Sequence, residues 1–150
     1  MSTGRRIGEL LVAAGLITEG QLGEALAAQA STGRRLGEVL VGSGHVREAE
    51  LTQILSNQLS VAWVSLELVE FTRELLSLLP GELALKLGVL PVHFRLGKKR
   101  EKILYVAMND PTDIPAMQEV SRVTGMHVRP LIAPPSELNR VIREQYFPRG

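Results

Sequence analysis

A stretch of 24 residues, Arg6 to Gln29, is written out a second time as Arg35 to Gln58, without a gap and at a period of 29 residues. The first copy reads RIGELLVAAGLITEGQLGEALAAQ and the second RLGEVLVGSGHVREAELTQILSNQ. The echo begins even earlier, with Ser2-Thr3-Gly4-Arg5 repeated as Ser31-Thr32-Gly33-Arg34. Identical pairs include Arg6/Arg35, Gly8/Gly37, Glu9/Glu38, Leu11/Leu40, Gly15/Gly44, Leu22/Leu51, Leu26/Leu55 and Gln29/Gln58. An internal repeat constrains the fold before any other feature, because each copy makes the same supersecondary unit. Two copies are too few for a solenoid. A tandem pair makes a pseudo-symmetric unit instead, and such a unit suits a ligand with two equivalent halves.

Each copy predicts two short helices with a tight joint. Ile7, Leu10, Leu11 and Ala14 follow helical spacing, and Gly15 falls where a left-handed cap wants a residue without a Cβ. Thr18-Glu19-Gly20-Gln21 has the form of a capping box opening the second helix, with Ile17 and Leu22 as its hydrophobic staple. The second copy keeps Gly44, Val46, Glu50 and Leu51 but has Arg47 at the cap, a start weaker by roughly 1 kcal/mol. On the longer helices Leu22, Leu26 and Gln29 share one face, as do Leu51, Leu55 and Gln58.

Polar residues placed twice on an otherwise apolar face suggest a site. Leucine stripes and capping glycines alone are usually core and punctuation. The recurrence of Arg-x-Gly with a terminal Gln at one spacing goes beyond that. Arginine bonds in a bidentate way to O6 and N7 of guanine and stacks on a base. A neighbouring glycine lets backbone N–H groups approach a ligand, leucines supply a dry wall, and Gln29 and Gln58 both donate and accept. A solvent-facing arginine poised in this way contributes little to folding.

The pattern R-(L/I)-G-x-x-(L/V/I)-(L/V/I)-x-x-G-(L/V/I)-(L/V/I)-x4-L-x3-L-x2-Q, repeated after a five-residue spacer, resembles the MshEN-type cyclic di-GMP-binding domain. That domain stands at the N-terminus of type II secretion and type IV pilus assembly ATPases, and its two motifs grip the two halves of one ligand. The resemblance implies contacts to cyclic di-GMP at Arg6, Ile7, Gly8, Leu22, Leu26 and Gln29, and at Arg35, Leu36, Gly37, Leu51, Leu55 and Gln58. Ile7 replaces the commoner leucine, and His45 stands where an aliphatic residue is expected, which touches local packing and not the ligand contacts.

The segment after Ser60 changes character. Val61 to Leu66 has strand composition, with Trp63 as a core anchor; Thr72 to Leu79 and Pro80 to Leu87 read as helices, the second stopped by Gly88. Val89–Leu96 and Ile103–Met108 are two strands joined by the charged hairpin Gly97 to Lys102, read as a solvated turn. A helix from Ile114 to Thr124, a strand from His127 to Ala133 and a helix from Glu137 to Tyr146 capped by Pro134-Pro135-Ser136 close the chain. The fold class is therefore α+β: an all-helical tandem-repeat subdomain over residues 1–60, then a small mixed α/β sheet subdomain over 61–150. The run Val106 to Asp113, together with the helix, Thr124-Gly125, strand and closing amphipathic helix after it, resembles the second subdomain found after the MshEN repeats. A carboxylate from this region would serve the N1–H and N2–H2 edge of guanine, with Asp110 the candidate and Glu9 and Glu38 its rivals. The alternative for Asp110 is a plain Asx turn before Pro111.

Other functions are poorly supplied. Aromatics make up 4% of the chain and its net charge is +1, which argues against a nucleic-acid polymer as partner. No G-x4-G-K-(S/T) loop is present and no serine or cysteine nucleophile sits in a recognisable setting, so no enzyme and no catalytic residue is expected. The three histidines lack metal-ligand spacing and cysteine companions, so neither metal nor cofactor is expected. Residues 1–5 are polar and expected to be loose. No apolar run is long enough to span a bilayer, and no signal peptide opens the chain, so a cytoplasmic protein is expected. The ATPase core of the resembled proteins is missing, so the chain is either an excised N-terminal piece or a free-standing receiver. Two functions remain: a cyclic di-GMP receptor that relays its signal to a partner, such as the ATPase core, a platform protein or another effector, and a protein-docking module that binds no nucleotide.

Overall fold

The computed structural model describes residues 4–148. The repeats form α1 (Gly4–Ala13) and α2 (Glu19–Thr32), then α3 (Leu36–Gly42) and α4 (Glu48–Leu59). The expected loose start lies outside the described residues for 1–3, whereas Gly4 and Arg5 already belong to α1. Both joints turn on a glycine with left-handed backbone, Gly15 at φ +77° and Gly44 at φ +81°. The capping box is formed: the Thr18 hydroxyl accepts from Gln21 N–H at 3.1 Å, and the Gln21 side chain accepts from Thr18 N–H at 2.9 Å. Arg47 makes no such bond, as the sequence predicts for the weaker start. The five-residue spacer is largely helical, since α2 runs through Thr32 and stops only at Gly33, φ +73°.

Gly8 and Gly37 have a packing reason that repeats with the sequence. A Cβ on Gly8 would lie 2.2 Å from Leu22 Cδ1, and one on Gly37 would lie 3.3 Å from Leu51 Cδ2. In each copy the glycine of the first helix makes room for the first leucine of the second. Around these contacts Ile7, Leu11, Leu36, Leu40, Leu51 and Leu55 make a buried core. His45 is accommodated at the joint, where its Nδ1 lies 3.3 Å from Gln21 Nε2 and links the two copies.

The second half adds α5 (Arg73–Leu76), α6 (Gly81–Leu87), β1 (Val89–Leu96), β2 (Lys102–Met108), α7 (Ile114–Thr124), β3 (His127–Ile132) and α8 (Pro135–Tyr146). The sheet order is β1-β2-β3, with β1 antiparallel to β2 and β2 parallel to β3 across α7. A second buried core, with Leu90, Leu104, Val120, Leu138 and Ile142 at its centre, packs the helices onto this sheet. The strand expected at Val61 to Leu66 is not formed. Trp63 makes a single parallel bridge to Ile132, and a 3-10 turn comes next at Leu66–Leu68. Nor is Trp63 a core anchor, being 52% exposed. Extended backbone alternates its side chains, and here Val64 and Leu66 take the inward positions.

Three contacts stand out among those that join the halves. Ile132 of β3 packs into the core of the repeats. Glu48 accepts from Ser136 N–H at 3.0 Å and from its hydroxyl at 2.7 Å, so α8 is capped by a carboxylate from α4 and not by its own Ser136. The third contact belongs to the site.

Candidate ligand-binding cleft

The repeats and the sheet meet at a narrow cleft of about 50 Å³. Ile7 and Gln29 enter it from the first copy; Arg35, Leu36, Gly37, Leu51 and Leu55 enter from the second; Asn109, Asp110 and Asp113 close it from the loop after β2. The period of 29 thus brings members of both copies to one place, because α1 packs against α4 and α2 against α3. Arg6, Gly8, Leu22, Leu26 and Gln58 do not line the cleft: Gly8 and Leu22 are buried against each other, Leu26 is half-buried, and Arg6 and Gln58 are exposed.

The two arginines have different surroundings. Arg6 is exposed, and its charge favours the ionised form of Asp110. Arg35 is half-buried and bound. Its guanidinium donates to Lys86 O at 3.0 Å and Leu85 O at 3.5 Å, at the carbonyl end of α6, and pairs with Glu38 at 3.5 Å. It also covers Gly88, where a Cβ would lie 2.2 Å from Arg35 Cζ. The reading of Arg35 as a solvent-facing residue of small structural weight is therefore corrected. A helix C-terminus presents unsatisfied carbonyls and partial negative charge, and a cation from the repeats docks there.

Asp110 is both an Asx turn and a cleft residue. Its Oδ1 accepts from Thr112 N–H at 2.8 Å and from the Thr112 hydroxyl. Burial pushes its carboxyl above the ordinary range; the Thr112 bonds pull it back in part, Asp113 opposes them, and Arg6 assists them. Two further residues escaped the reading of the sequence. Asn109 is buried, and its Nδ2 donates to Ala133 O at 3.1 Å, while its Oδ1 is buried without a hydrogen-bond partner. Buried acceptors are normally paired, so an orphan lining a cleft is a place for a donor. Asp113 caps α7 by accepting from Ala116 N–H at 3.1 Å and presents its other side to the cleft. The only signal for either was adjacency to Asp110. Neither Glu9 nor Glu38 lines the cleft. Beside it lies a wider hollow of about 670 Å³, bordered by Gly33, Lys86 and Glu119, and Arg35 and Asp113 line both.

Residues 59–149 match the MshEN domain family. The chain belongs to that family. The match falls on the sheet half of this MshEN domain, and the tandem copies precede it. The type IV pilus assembly ATPase PilB of Myxococcus xanthus is 34% identical over 145 residues, 97% of the chain, which spans 25% of that protein's length. Among solved structures, MshE with cdg is similar at 33% identity and TM-score 0.67, covering 94% of this chain and 98% of the other. The N-terminal domain of XpsE superposes at TM-score 0.70 over 95% of each chain; at 21% identity it shows the fold alone. An MshEN domain is a regulatory domain and not the catalytic ATPase core. Among the described residues no helix is long and apolar enough to cross a membrane.

Proposed function

We propose that this MshEN domain is a cyclic di-GMP receptor, binding one molecule through its two tandem motifs as the cytoplasmic N-terminal part of a secretion or pilus ATPase. The observation that carries this reading is the cleft in which both copies meet Asp110. The similarity to MshE with cdg, an abbreviation of cyclic di-GMP, supports it. Arginine suits the O6 and N7 acceptors of guanine, and the N1–H and N2–H2 edge suits the Asp110 carboxylate and the orphan Asn109 Oδ1. Both ligand phosphates are anionic, and Arg6, Arg35 and Lys86 supply the opposite charge.

Size then dictates a movement. Sites for small ligands enclose about 300–1,000 Å³, and the cleft alone encloses far less. In this reading Arg35 leaves the α6 carbonyls for the ligand and opens the cleft into the neighbouring hollow. The carbonyl end of α6 is thereby released, which is how binding reaches the sheet half and, beyond it, a protein partner such as the ATPase core or a platform protein.

The test is titration calorimetry with cyclic di-GMP, cyclic di-AMP and GTP. Adenine presents a donor in place of O6, and at about 1–3 kcal/mol per base two bases separate the dinucleotides by at least ~30-fold. Equal affinities for the two cyclic dinucleotides overturn the proposal.

A further inference from the structure

We propose that the open edge of β1, with the basic face beside it, docks an extended segment of a partner protein in which acidic and apolar residues alternate. β1 is the edge of the sheet and pairs with β2 alone. Its first four residues are buried, whereas His93, Phe94, Arg95 and Leu96 are all exposed. Such an edge presents a free row of backbone donors and acceptors.

The two faces flanking this edge differ in character. Strand register sets Arg95, Ile103 and His127 in one row and His93, Tyr105 and Arg129 in the next, all on one face. Arg95 lies 5.7 Å from the centre of the Tyr105 ring and donates to its hydroxyl at 3.1 Å, and the His93 ring centre stands 5.8 Å from that of Tyr105. The hairpin adds Lys98, Lys99 and Arg100. Among the described residues, none of Arg95, Lys98, Lys99, Arg100 and Arg129 makes an ion pair; every ion pair found there lies elsewhere. The acid of the hairpin, Glu101, is occupied with its own loop, accepting from Lys99 N–H at 3.0 Å. In a chain of net charge +1 this is a local excess of uncompensated cations.

The opposite face is apolar. Val92 and Phe94 line a groove of about 530 Å³ with Leu75, Leu78 and Met126, and Glu70, Glu74, His93 and Lys102 border it. A strand added to β1 sends successive side chains to opposite faces. One set meets Arg95 and Arg129; the other drops into the groove onto Val92, Phe94, Leu75 and Leu78, which favour apolar residues. Alternation results from that arrangement. A protein segment fits better than a nucleic acid or a lipid surface, because only an extended chain uses the edge, the charges and the groove together. The Tyr105 ring on the basic face is already flanked by Arg95 and His93, which leaves it little room to stack on a base.

The experiment is selection of a random octapeptide phage library on the immobilised full chain. Expected is a consensus alternating Asp or Glu with Val, Ile or Leu. A synthetic consensus peptide should then perturb the β1 amides in NMR spectra, with or without cyclic di-GMP. Arg95→Glu with Arg129→Glu should weaken that peptide at least ~tenfold and move the selected consensus toward Lys or Arg. Phe94→Ser should weaken it while keeping the acidic preference, with circular dichroism reporting that each variant folds. Absence of enrichment, a consensus without alternation, or one unchanged by charge reversal overturns the proposal. So does tighter binding to phosphatidylglycerol vesicles or oligo-dT than to the consensus peptide.

Discussion

Asp110 keeps a carboxylate where burial resists its charge. Its folded-state pKa is raised, so the folded chain holds the proton more tightly than the unfolded chain does. That contribution to stability is fully present in acid and is lost as pH rises through the raised value. Asp110→Asn keeps an acceptor for Thr112 without the charge, so it is expected to melt at or above the parent temperature at pH 7, with the gap closing in acid. The same variant should bind cyclic di-GMP more weakly, which separates a site residue from a structural one. The arginines separate differently. Arg6→Ala should weaken binding and shift stability by no more than ~0.5 kcal/mol, whereas Arg35→Ala should lose binding and cost about 1–2 kcal/mol as well. Denaturant titration of the two variants decides it. Repetition made the arginines, glycines and glutamines conspicuous in the sequence. It said nothing of the bond from Arg35 to Lys86, which depends on how two halves 51 positions apart come together. The orphan oxygen of Asn109 was illegible for the same reason.

Between helices, the glycines sort by what surrounds them. Gly23 lies in α2, and a methyl group added there would meet nothing within 4 Å, so Gly23→Ala should stabilise by about 0.5–1 kcal/mol through helix propensity. Gly8→Ala enjoys the same propensity but drives a methyl into Leu22, so it should gain nothing or lose about 1–3 kcal/mol. Leu22→Ala in the Gly8→Ala background should recover part of that loss, and thermal melts of the four chains in the cycle measure it. Most elements were legible: periodicity and caps located α1 to α4, and Gly88 and Gly125 marked the ends of α6 and α7. Failures came where local composition met a tertiary constraint. Val61 to Leu66 looks like a strand, yet it reaches only the end of β3 and bonds there through Ala62 and Val64 alone. Pro134-Pro135-Ser136 looks like a self-sufficient cap, yet the acceptor comes from Glu48.

At the scale of the molecule, the proposed receptor carries both half-sites in one chain. The short spacer makes engagement of the second half-site intramolecular, so no second copy is needed. One cyclic di-GMP per chain and an unchanged monomer mass are expected; light scattering of the saturated complex with the calorimetric endpoint checks both. Two ligands per chain, or a doubled mass, would show that the copies act separately. The α+β class and the family were legible from the repeats and the order of elements, whereas the meeting of the halves was not. That junction passes through Trp63. Its backbone bridges to Ile132, whose side chain lies in the core of the repeats, and its half-exposed indole is the chain's single tryptophan. The protein therefore carries its own optical reporter. The colour of its ultraviolet emission tracks the seam between the two cores, and a ligand that loosens or tightens that seam can be watched with no label attached.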